Sequence, residues 1–370
     1  SSIYYRSGDR RLAPATLQET TRFNGLTVRS MLHYKLNDNF SLQPGVDINV
    51  EDGEGGRISG GVRSIGDYAG FVSAEWKLGK WQVRPGVRTV YNSVYQSPPF
   101  TPSLNLKWTV SKLHDIKVSY GRGFRAPSLR ELYFNFIDAS HTIYGNEDLK
   151  AELSDSFNGS WTWTIADASQ QKLSSSLGGF YNSVSNMIGY AIKYVNGVQA
   201  TSYMNIDKYK TKGITWNNKF QVNALEGSVG VAYTGRYNQL FESAPGTEEF
   251  VWSPEITSNA SYNFRKIGLL ISLYHKYTGS TPIYEIVSIN GEEVTNLAKI
   301  GAYQWADLTV KKNFGTQFSV TAGARNLFDI TNVQNSSLAT GGVHSGGNAR
   351  PVGNGRSYFL SLNYSLFKFE

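Results

Sequence analysis

The chain has 370 residues, of which 40% are apolar and 14% aromatic, and it carries a formal net charge of +7 and no cysteine. No run of about 18 apolar residues occurs in it, which excludes transmembrane helices. Its basic residues are spread along the sequence and do not form the cluster that nucleic-acid binding requires, so we expect no nucleic-acid partner. Tyrosine (23) and glycine (37) are abundant, which is typical of outer-membrane barrels, whose strands face lipid on one side only.

Apolar and polar residues alternate with a period of two along much of the chain, beginning with residues 66–78. The same pattern recurs at residues 115–121, 317–325 and 356–366. Strict alternation predicts strands with one apolar face. The residues that we expect to face lipid are Tyr68, Val72, Trp76, Ile116, Val118, Leu360 and Leu362.

Seven predicted connections between strands are tight turns and seven are longer loops, and the two kinds alternate along the chain. The tight turns are 37–39, 78–80, 110–114, 166–170, 223–227, 265–267 and 313–316. The longer loops are 51–67, 93–99, 122–153, 183–210, 236–252, 279–301 and 326–355. This alternation predicts short turns on one rim and long loops on the other, as in a transmembrane antiparallel β-barrel. A soluble sandwich or propeller gives no reason for such an asymmetry.

The predicted connections link about fifteen strands, and residues 1–6 resemble the end of one more. A barrel closed from one chain has an even number of strands. We therefore expect residues 1–370 to be the C-terminal part of a larger all-β barrel.

Residues 119–152 interrupt the alternation for longer than any ordinary connection. They are rich in Phe, Tyr and Leu, which argues against disorder. Two short blocks lie in them, Phe-Arg-Ala-Pro at 124–127 and Gly-Asn-Glu-Asp-Leu at 145–149, with His141 between the blocks. This stretch is the first candidate for a functional site.

The two blocks resemble those of TonB-dependent outer-membrane receptors, and within that family those of the haem receptors. In that group a Phe/Tyr-Arg-Ala-Pro box and an Asn-Pro-Asn/Asp-Leu box flank a loop with a histidine, and here Glu147 stands in place of the second box's proline. Residues 323–329 and 355–358 extend the resemblance toward the C-terminus. The matching motif residues are Phe124, Arg125, Ala126, Pro127, Asn146, Asp148 and Leu149.

The resemblance implies a barrel of about 22 strands around a plug. This chain would then hold the C-terminal strands, with the plug and the first strands outside it. The resemblance also implies location in the outer membrane of a Gram-negative bacterium, coupling to the TonB complex through the plug, and contact with outer-membrane lipid and lipopolysaccharide. A surface lipoprotein that hands over the ligand is a further expected partner.

The resemblance implies active import of a scarce metal chelate, with haem as the first expectation and no intrinsic cofactor. His141 is the predicted metal ligand, because a neutral imidazole binds haem iron well. Tyr133 and Tyr144 offer flat faces to a macrocycle, Arg125 could bind a carboxylate of the ligand, and His344 lies in a second, glycine-rich loop.

Each of these side chains also has an ordinary structural explanation. His141 and His344 could be exposed loop residues, the tyrosines could pack the loop on itself, and Arg125 could pair with Glu131 or with Asp138. Cobalamin and ferric siderophores are the alternative ligands, and a passive porin or surface-binding barrel is the alternative of another class. The usual catalytic motifs do not occur in the sequence, so we do not expect an enzyme.

Overall fold

The computed structural model describes residues 2–11, 20–137, 142–195, 198–289, 292–337 and 349–365. These residues form 23 β-strands, one short α-helix and one 3-10 helix, and the all-β prediction is confirmed. None of the described helices is long and apolar enough to cross a membrane.

The elements follow one another along the chain with few residues between them. The elements up to the eleventh strand are β1 (Ser2–Arg11), β2 (Thr20–Met31), β3 (Tyr34–Lys35), β4 (Phe40–Glu54), β5 (Val62–Leu78), β6 (Trp81–Asn92), β7 (Thr101–Ser111), β8 (His114–Arg125), α1 (Leu129–Tyr133), β9 (Phe136–Ile137), β10 (Thr142–Tyr144) and β11 (Glu152–Ala168). The remaining elements are β12 (Gln171–Val195), β13 (Val198–Val222), β14 (Leu225–Tyr237), β15 (Phe250–Phe264), the 3-10 helix (Arg265–Ile267), β16 (Leu269–Thr278), β17 (Thr281–Ile289), β18 (Glu292–Ile300), β19 (Tyr303–Phe314), β20 (Phe318–Arg325), β21 (Asn332–Gln334), β22 (Ala349–Pro351) and β23 (Ser357–Tyr364).

The chain divides into two compact units. The first consists of Ser1–Thr109, Lys117–Asn158 and Tyr181–Lys210. The second consists of Val110–Ile116, Gly159–Phe180 and Thr211–Glu370.

Within each unit the long strands pair antiparallel with their neighbours in sequence. In the first unit the ladder runs from β1 through β2, β4, β5 and β6 to β7, with Phe40 opposite Trp76 in the β4–β5 pair. In the second unit it runs from β13 through β14, β15, β16, β19 and β20 to β23. The strand expected at residues 1–6 is present as β1, which pairs with β2.

All seven predicted tight turns are confirmed by the strand boundaries. Three of them contain a residue in the left-handed region, with φ of 58° at Gly79, 56° at Asn223 and 66° at Gly315, and Gly268, directly after a fourth, has φ of 61°. Glycine and asparagine adopt that conformation at low cost. The turn chemistry is therefore local, and the sequence alone specifies it.

Several predicted long loops are instead paired strands, and the sequence prediction was wrong there. β12 and β13 each run for 25 residues, which extends strand structure through most of residues 183–210. Residues 279–301 contain the β17–β18 hairpin, and the predicted loop 51–67 shrinks to residues 55–61. Beyond a bilayer no lipid requires one face of a strand to be apolar, so apolar alternation disappears although the backbone still gains by pairing.

The predicted lipid face is exposed on the strands that carry it. Six of its seven residues are exposed large apolar side chains, from Val72 at 38% to Leu360 at 69%, while Ile116 is half-buried. Rows of exposed apolar side chains are unfavourable in water and suit strands that border lipid.

Candidate functional site

The segment between β8 and β11 is fixed to the first unit by a small apolar core. Leu129 and Leu132 of α1 and Leu149 of the second box pack with Ile58 and Ile65, and all five are at most 5% exposed. Burying a leucine side chain contributes about 1.5–3 kcal/mol. The core explains why this segment is rich in apolar residues although it does not cross the membrane.

The helix α1 begins with a complete capping box. The Ser128 hydroxyl accepts a hydrogen bond from the Glu131 N–H at 3.3 Å, and the Glu131 carboxylate accepts one from the Ser128 N–H at 2.7 Å. Pro127 lies just before this cap and is fully buried. Its fixed φ and missing N–H end β8 and start the turn into the helix.

Arg125 of the first box is bound to two carboxylates of the protein. Its Nε donates to Glu152 at 2.9 Å and its Nη1 donates to Glu131 at 2.9 Å. The Glu152 carboxylate also accepts the N–H of Ile188 at 2.8 Å. The pairing of Arg125 with Glu131 that the sequence suggested is confirmed, and a contact with a ligand carboxylate stays a prediction.

Hydrogen bonds connect the second box to β13 and to the loop helix. The Asn146 amide donates to the carbonyl of Tyr203 at 2.8 Å, and its oxygen accepts the N–H of Asp148 at 3.0 Å. The Asn146 N–H donates to the carbonyl of Glu131 at 2.9 Å. One asparagine thus connects the loop helix, the box and a strand.

Glu147 replaces the proline of the family pattern and has a structural partner. Its carboxylate accepts a hydrogen bond from the Ser59 hydroxyl at 2.7 Å and lies 3.7 Å from the guanidinium of Arg63. Arg63 in turn lies over the Tyr133 ring at 4.7 Å. The departure from the family pattern therefore links this loop to residues 55–61.

Gly145 is required by a close approach between backbones. A Cβ at this position would lie 2.5 Å from the carbonyl oxygen of Leu132. No side chain fits at such a distance, so the glycine lets the chain pass the end of α1.

The predicted aromatic residues lie in the same loop, and each packs against the protein. Tyr133 is half-buried against the apolar core. Tyr144 of β10 is half-buried, and β10 pairs in parallel with β13, with Tyr144 opposite Ser202. Phe134 contacts Phe23 edge-on at 5.4 Å. Packing roles are thus present, and contact with a macrocycle stays a prediction.

His141 and His344 both lie outside the described residues. The described residues on either side of His141 belong to two strands that pair with each other, with Thr142 of β10 opposite Ile137 of β9. Within the part of the chain that the structure describes, no group of three or more His, Cys, Asp or Glu side chains is arranged to hold a metal ion.

Tyr95 packs against the same apolar core, and no sequence pattern points to it. Its hydroxyl is buried and has no hydrogen-bond partner among the described residues. Burial raises the pKa of Tyr95 to about 12, and the nearby Tyr133, Glu147 and Glu131 act in the same direction. Tyr95 is distant in sequence from the loop it packs against, so only the fold reveals this environment.

A polar cavity of about 290 Å³ lies in the first unit next to the first box. In its wall one oxygen of Asp47 accepts hydrogen bonds from Arg29 at 2.8 Å and from Arg88 at 3.2 Å. Arg29, Asp47 and Arg88 lie on β2, β4 and β6, and only the pairing of the strands brings them together. The cavity is lined by Thr27, Arg29, Asp47, Asn49, Asp67, Arg88, Val90, Phe124, Arg125 and Ala126.

Comparison with known proteins identifies the family. Residues 2–327 match the family described as TonB dependent receptor-like, beta-barrel. The chain belongs to this family of receptors. Its location in the outer membrane, predicted from the alternation and from the resemblance, is confirmed with it.

Individual relatives of this receptor barrel are more distant. The chain is 29% identical over 178 residues to the iron-regulated outer membrane virulence protein of Vibrio cholerae, an alignment that covers 45% of the chain and 26% of the relative. It is 23% identical over 363 residues to the vitamin B12 transporter BtuB of Vibrio vulnificus, covering 95% of the chain and 52% of that protein. The chain therefore spans about half, or less, of the length of these relatives.

A solved receptor shares the fold. The ferric enterobactin receptor of Pseudomonas aeruginosa superimposes with a TM-score of 0.69 at 17% identity, over 94% of this chain and 55% of that one. The family part of the sequence resemblance is thus confirmed. None of these three proteins is named for haem, so the haem subgroup is not established by the comparison.

Proposed function

We propose that the complete protein is a TonB-dependent importer that carries a scarce metal chelate across the outer membrane. The observation that carries the proposal is the anchoring of the loop between β8 and β11 at both of its boxes, through Arg125 and Asn146, in a chain of the receptor family. A loop fixed at two points loses little further entropy on binding, which favours affinity.

We propose haem as the first ligand. An imidazole at His141 would supply an axial ligand to the iron, and the rings of Tyr133 and Tyr144 would cover the macrocycle. The positive charge of Arg125 would then attract a carboxylate of the ligand while its guanidinium remains hydrogen-bonded to Glu131. The TonB complex, a plug and a surface lipoprotein are the partners that this proposal requires.

Cobalamin is the second candidate. The alignment with a vitamin B12 transporter covers 95% of this chain. Cobalamin and a ferric siderophore both need a ring-lined or polar loop surface, and neither needs His141 on the metal. The ligand test therefore separates these candidates through the histidine.

The test uses the full-length receptor in a strain that lacks its own haem, siderophore and cobalamin receptors. Growth is measured with haem or a ferric siderophore as the sole source of iron, or with cobalamin as the sole source of vitamin B12. The wild type, His141→Ala and His33→Ala are compared at equal amounts of receptor on the cell surface. His33 is a suitable control because it lies in a separate turn, where its ring contacts Gln43 at 2.9 Å. We expect growth on haem for the wild type and His33→Ala and none for His141→Ala.

Growth of His141→Ala on haem equal to the wild type would contradict the haem assignment and leave import intact. If the wild-type receptor supports growth on cobalamin or on a siderophore but not on haem, that chelate replaces haem as the proposed ligand. Loss of uptake in a strain without TonB is also expected, and uptake that persists there would instead favour a passive pore.

A further inference from the structure

The outer face of β13 in the second unit changes from apolar to basic within two residues. Ile214 and Trp216 are 61% and 49% exposed on this face, and Lys212 is the next residue in the same row. The Trp216 indole N–H donates to the Ser175 hydroxyl at 2.8 Å. Its polar atom is therefore satisfied within the protein, as a lipid-facing position requires.

The distance of Lys212 from the short turn places it at a membrane boundary. It precedes Asn223 of the turn by about eleven residues, and at about 3.4 Å per residue and a tilt of about 40° this is roughly 28 Å of height. The apolar band of such barrels is about 25 Å tall. In the first unit, Tyr68 and Tyr91 lie at the same separation from their own turn, with ring centroids 6.2 Å apart, as expected of interface aromatics.

Two aromatic rings hold the ammonium group at this boundary. The Nζ of Lys212 lies 3.8 Å from the ring centroid of Phe250 and 5.8 Å from that of Trp252. Trp252 stacks on Tyr233 at 4.9 Å. Gly235 lies between Lys212 and Trp252 in register, and a Cβ there would come within 2.9 Å of the indole. The absence of a side chain at Gly235 thus makes room for Trp252.

The charge of Lys212 is not balanced by an acidic side chain within the described part of the chain, and its ammonium donates no hydrogen bond there. A cation–π contact is electrostatic and leaves the ammonium with three N–H donors for other acceptors. At the outer boundary of a bilayer the abundant anionic acceptors are lipid phosphates.

We propose that Lys212, together with Phe250 and Trp252, is a binding site for the phosphate of an outer-leaflet lipid headgroup. The ammonium binds the phosphate, and the half-buried Trp252 ring packs against the apolar part of the same lipid. The Phe250 ring is only 7% exposed and supports the ammonium from within the protein. The inference depends on the outer-membrane location and not on the transported ligand.

The probe is diphosphorylated lipid A in detergent micelles, titrated against the purified full-length receptor and followed by native mass spectrometry. We compare the wild type with Lys212→Gln, and with Lys219→Gln as the matched control. Lys219 lies on the same strand but on its other face, where it lines a separate polar cavity. We expect Lys212→Gln to weaken binding about fivefold and Lys219→Gln to leave it unchanged.

Trp252→Leu should also weaken binding, with the heat-modifiable band of the folded barrel retained as a check on folding. Equal binding by Lys212→Gln and the wild type would overturn the site. Equal binding of lipid A without its phosphates would overturn the phosphate contact, and competition by inorganic phosphate would overturn the assignment to a lipid.

Discussion

At the residue scale, Arg125 shows how a motif residue stabilises the loop through carboxylates of the protein itself. Its partners Glu131 and Glu152 have side chains that are only 17% and 16% exposed. A carboxylate that is buried to this extent needs a partner. Arg125 therefore joins the ends of β8 and β11 to the loop helix, and this role does not depend on the identity of a ligand.

Replacing this arginine tests that role. We expect Arg125→Gln to lower the local stability of α1 by about 1–3 kcal/mol, because two carboxylates lose their shared partner and the half-exposed guanidinium limits the effect. Arg125→Lys should recover only part of the lost stability. It keeps the positive charge, but an ammonium cannot bridge both carboxylates with parallel hydrogen bonds. Hydrogen exchange of the α1 amides measures this local stability. Arg122→Gln, on the same strand, is the control and should leave the exchange unchanged. Unchanged exchange in Arg125→Gln would show that the network is dispensable.

Tyr95 provides a second prediction at this scale. Its folded pKa of about 12 exceeds the unfolded value of about 10, so ionisation of this group leaves the stability unchanged below pH 10 and lowers it as pH rises from 10 through 12. Tyr95→Phe removes a buried hydroxyl that has no partner among the described residues. We expect equal or higher stability of the loop at neutral pH, by up to about 1 kcal/mol.

The measurement is a spectrophotometric titration of tyrosinate, combined with thermal unfolding at neutral pH. Tyr95→Phe should delete one late-titrating tyrosine, whereas Tyr91→Phe, at an exposed position, should leave that late step in place. A clear loss of stability in Tyr95→Phe would mean that the hydroxyl has an acceptor after all.

At the scale of the element, β8 tests the lipid face. Val118 is 51% exposed on the apolar face and lies about five residues from the short turn, near mid-depth in the bilayer by the same geometry. An arginine there costs about 2–4 kcal/mol. We expect Val118→Arg to impair assembly far more than Ser119→Arg on the opposite face, measured as the heat-modifiable fraction in outer membranes. Similar assembly of both variants would contradict the assignment of faces.

At the scale of the whole molecule, the alternation of short turns and long loops predicts two chemically distinct rims. The chain contains no cysteine, so single cysteines can report the side on which each connection lies. With a maleimide that cannot cross the outer membrane, we expect Ser243→Cys in the loop between β14 and β15 to react in intact cells. Lys112→Cys in the turn between β7 and β8 should react only after permeabilisation. Labelling of both in intact cells would refute the predicted orientation.

The sequence alone determined the membrane-crossing part of this receptor. A strand that borders lipid must alternate, and a tight turn needs residues such as Gly79 or Asn223 in the left-handed region, so both features are readable locally. The strands at residues 183–210 and 279–301 were missed because they do not cross the bilayer, so no lipid imposes a regular apolar face on their sequence. The motif boxes were found in the sequence, but their partners were not.

Only the tertiary structure decided what those boxes contact. Glu147 meets Ser59 across 88 positions of sequence, and Asn146 meets Tyr203 across 57. Such contacts depend on which strands are neighbours and on how far each strand extends beyond the bilayer. No local pattern encodes that information, because hydrogen bonds between distant segments form wherever the sheet brings a donor to an acceptor.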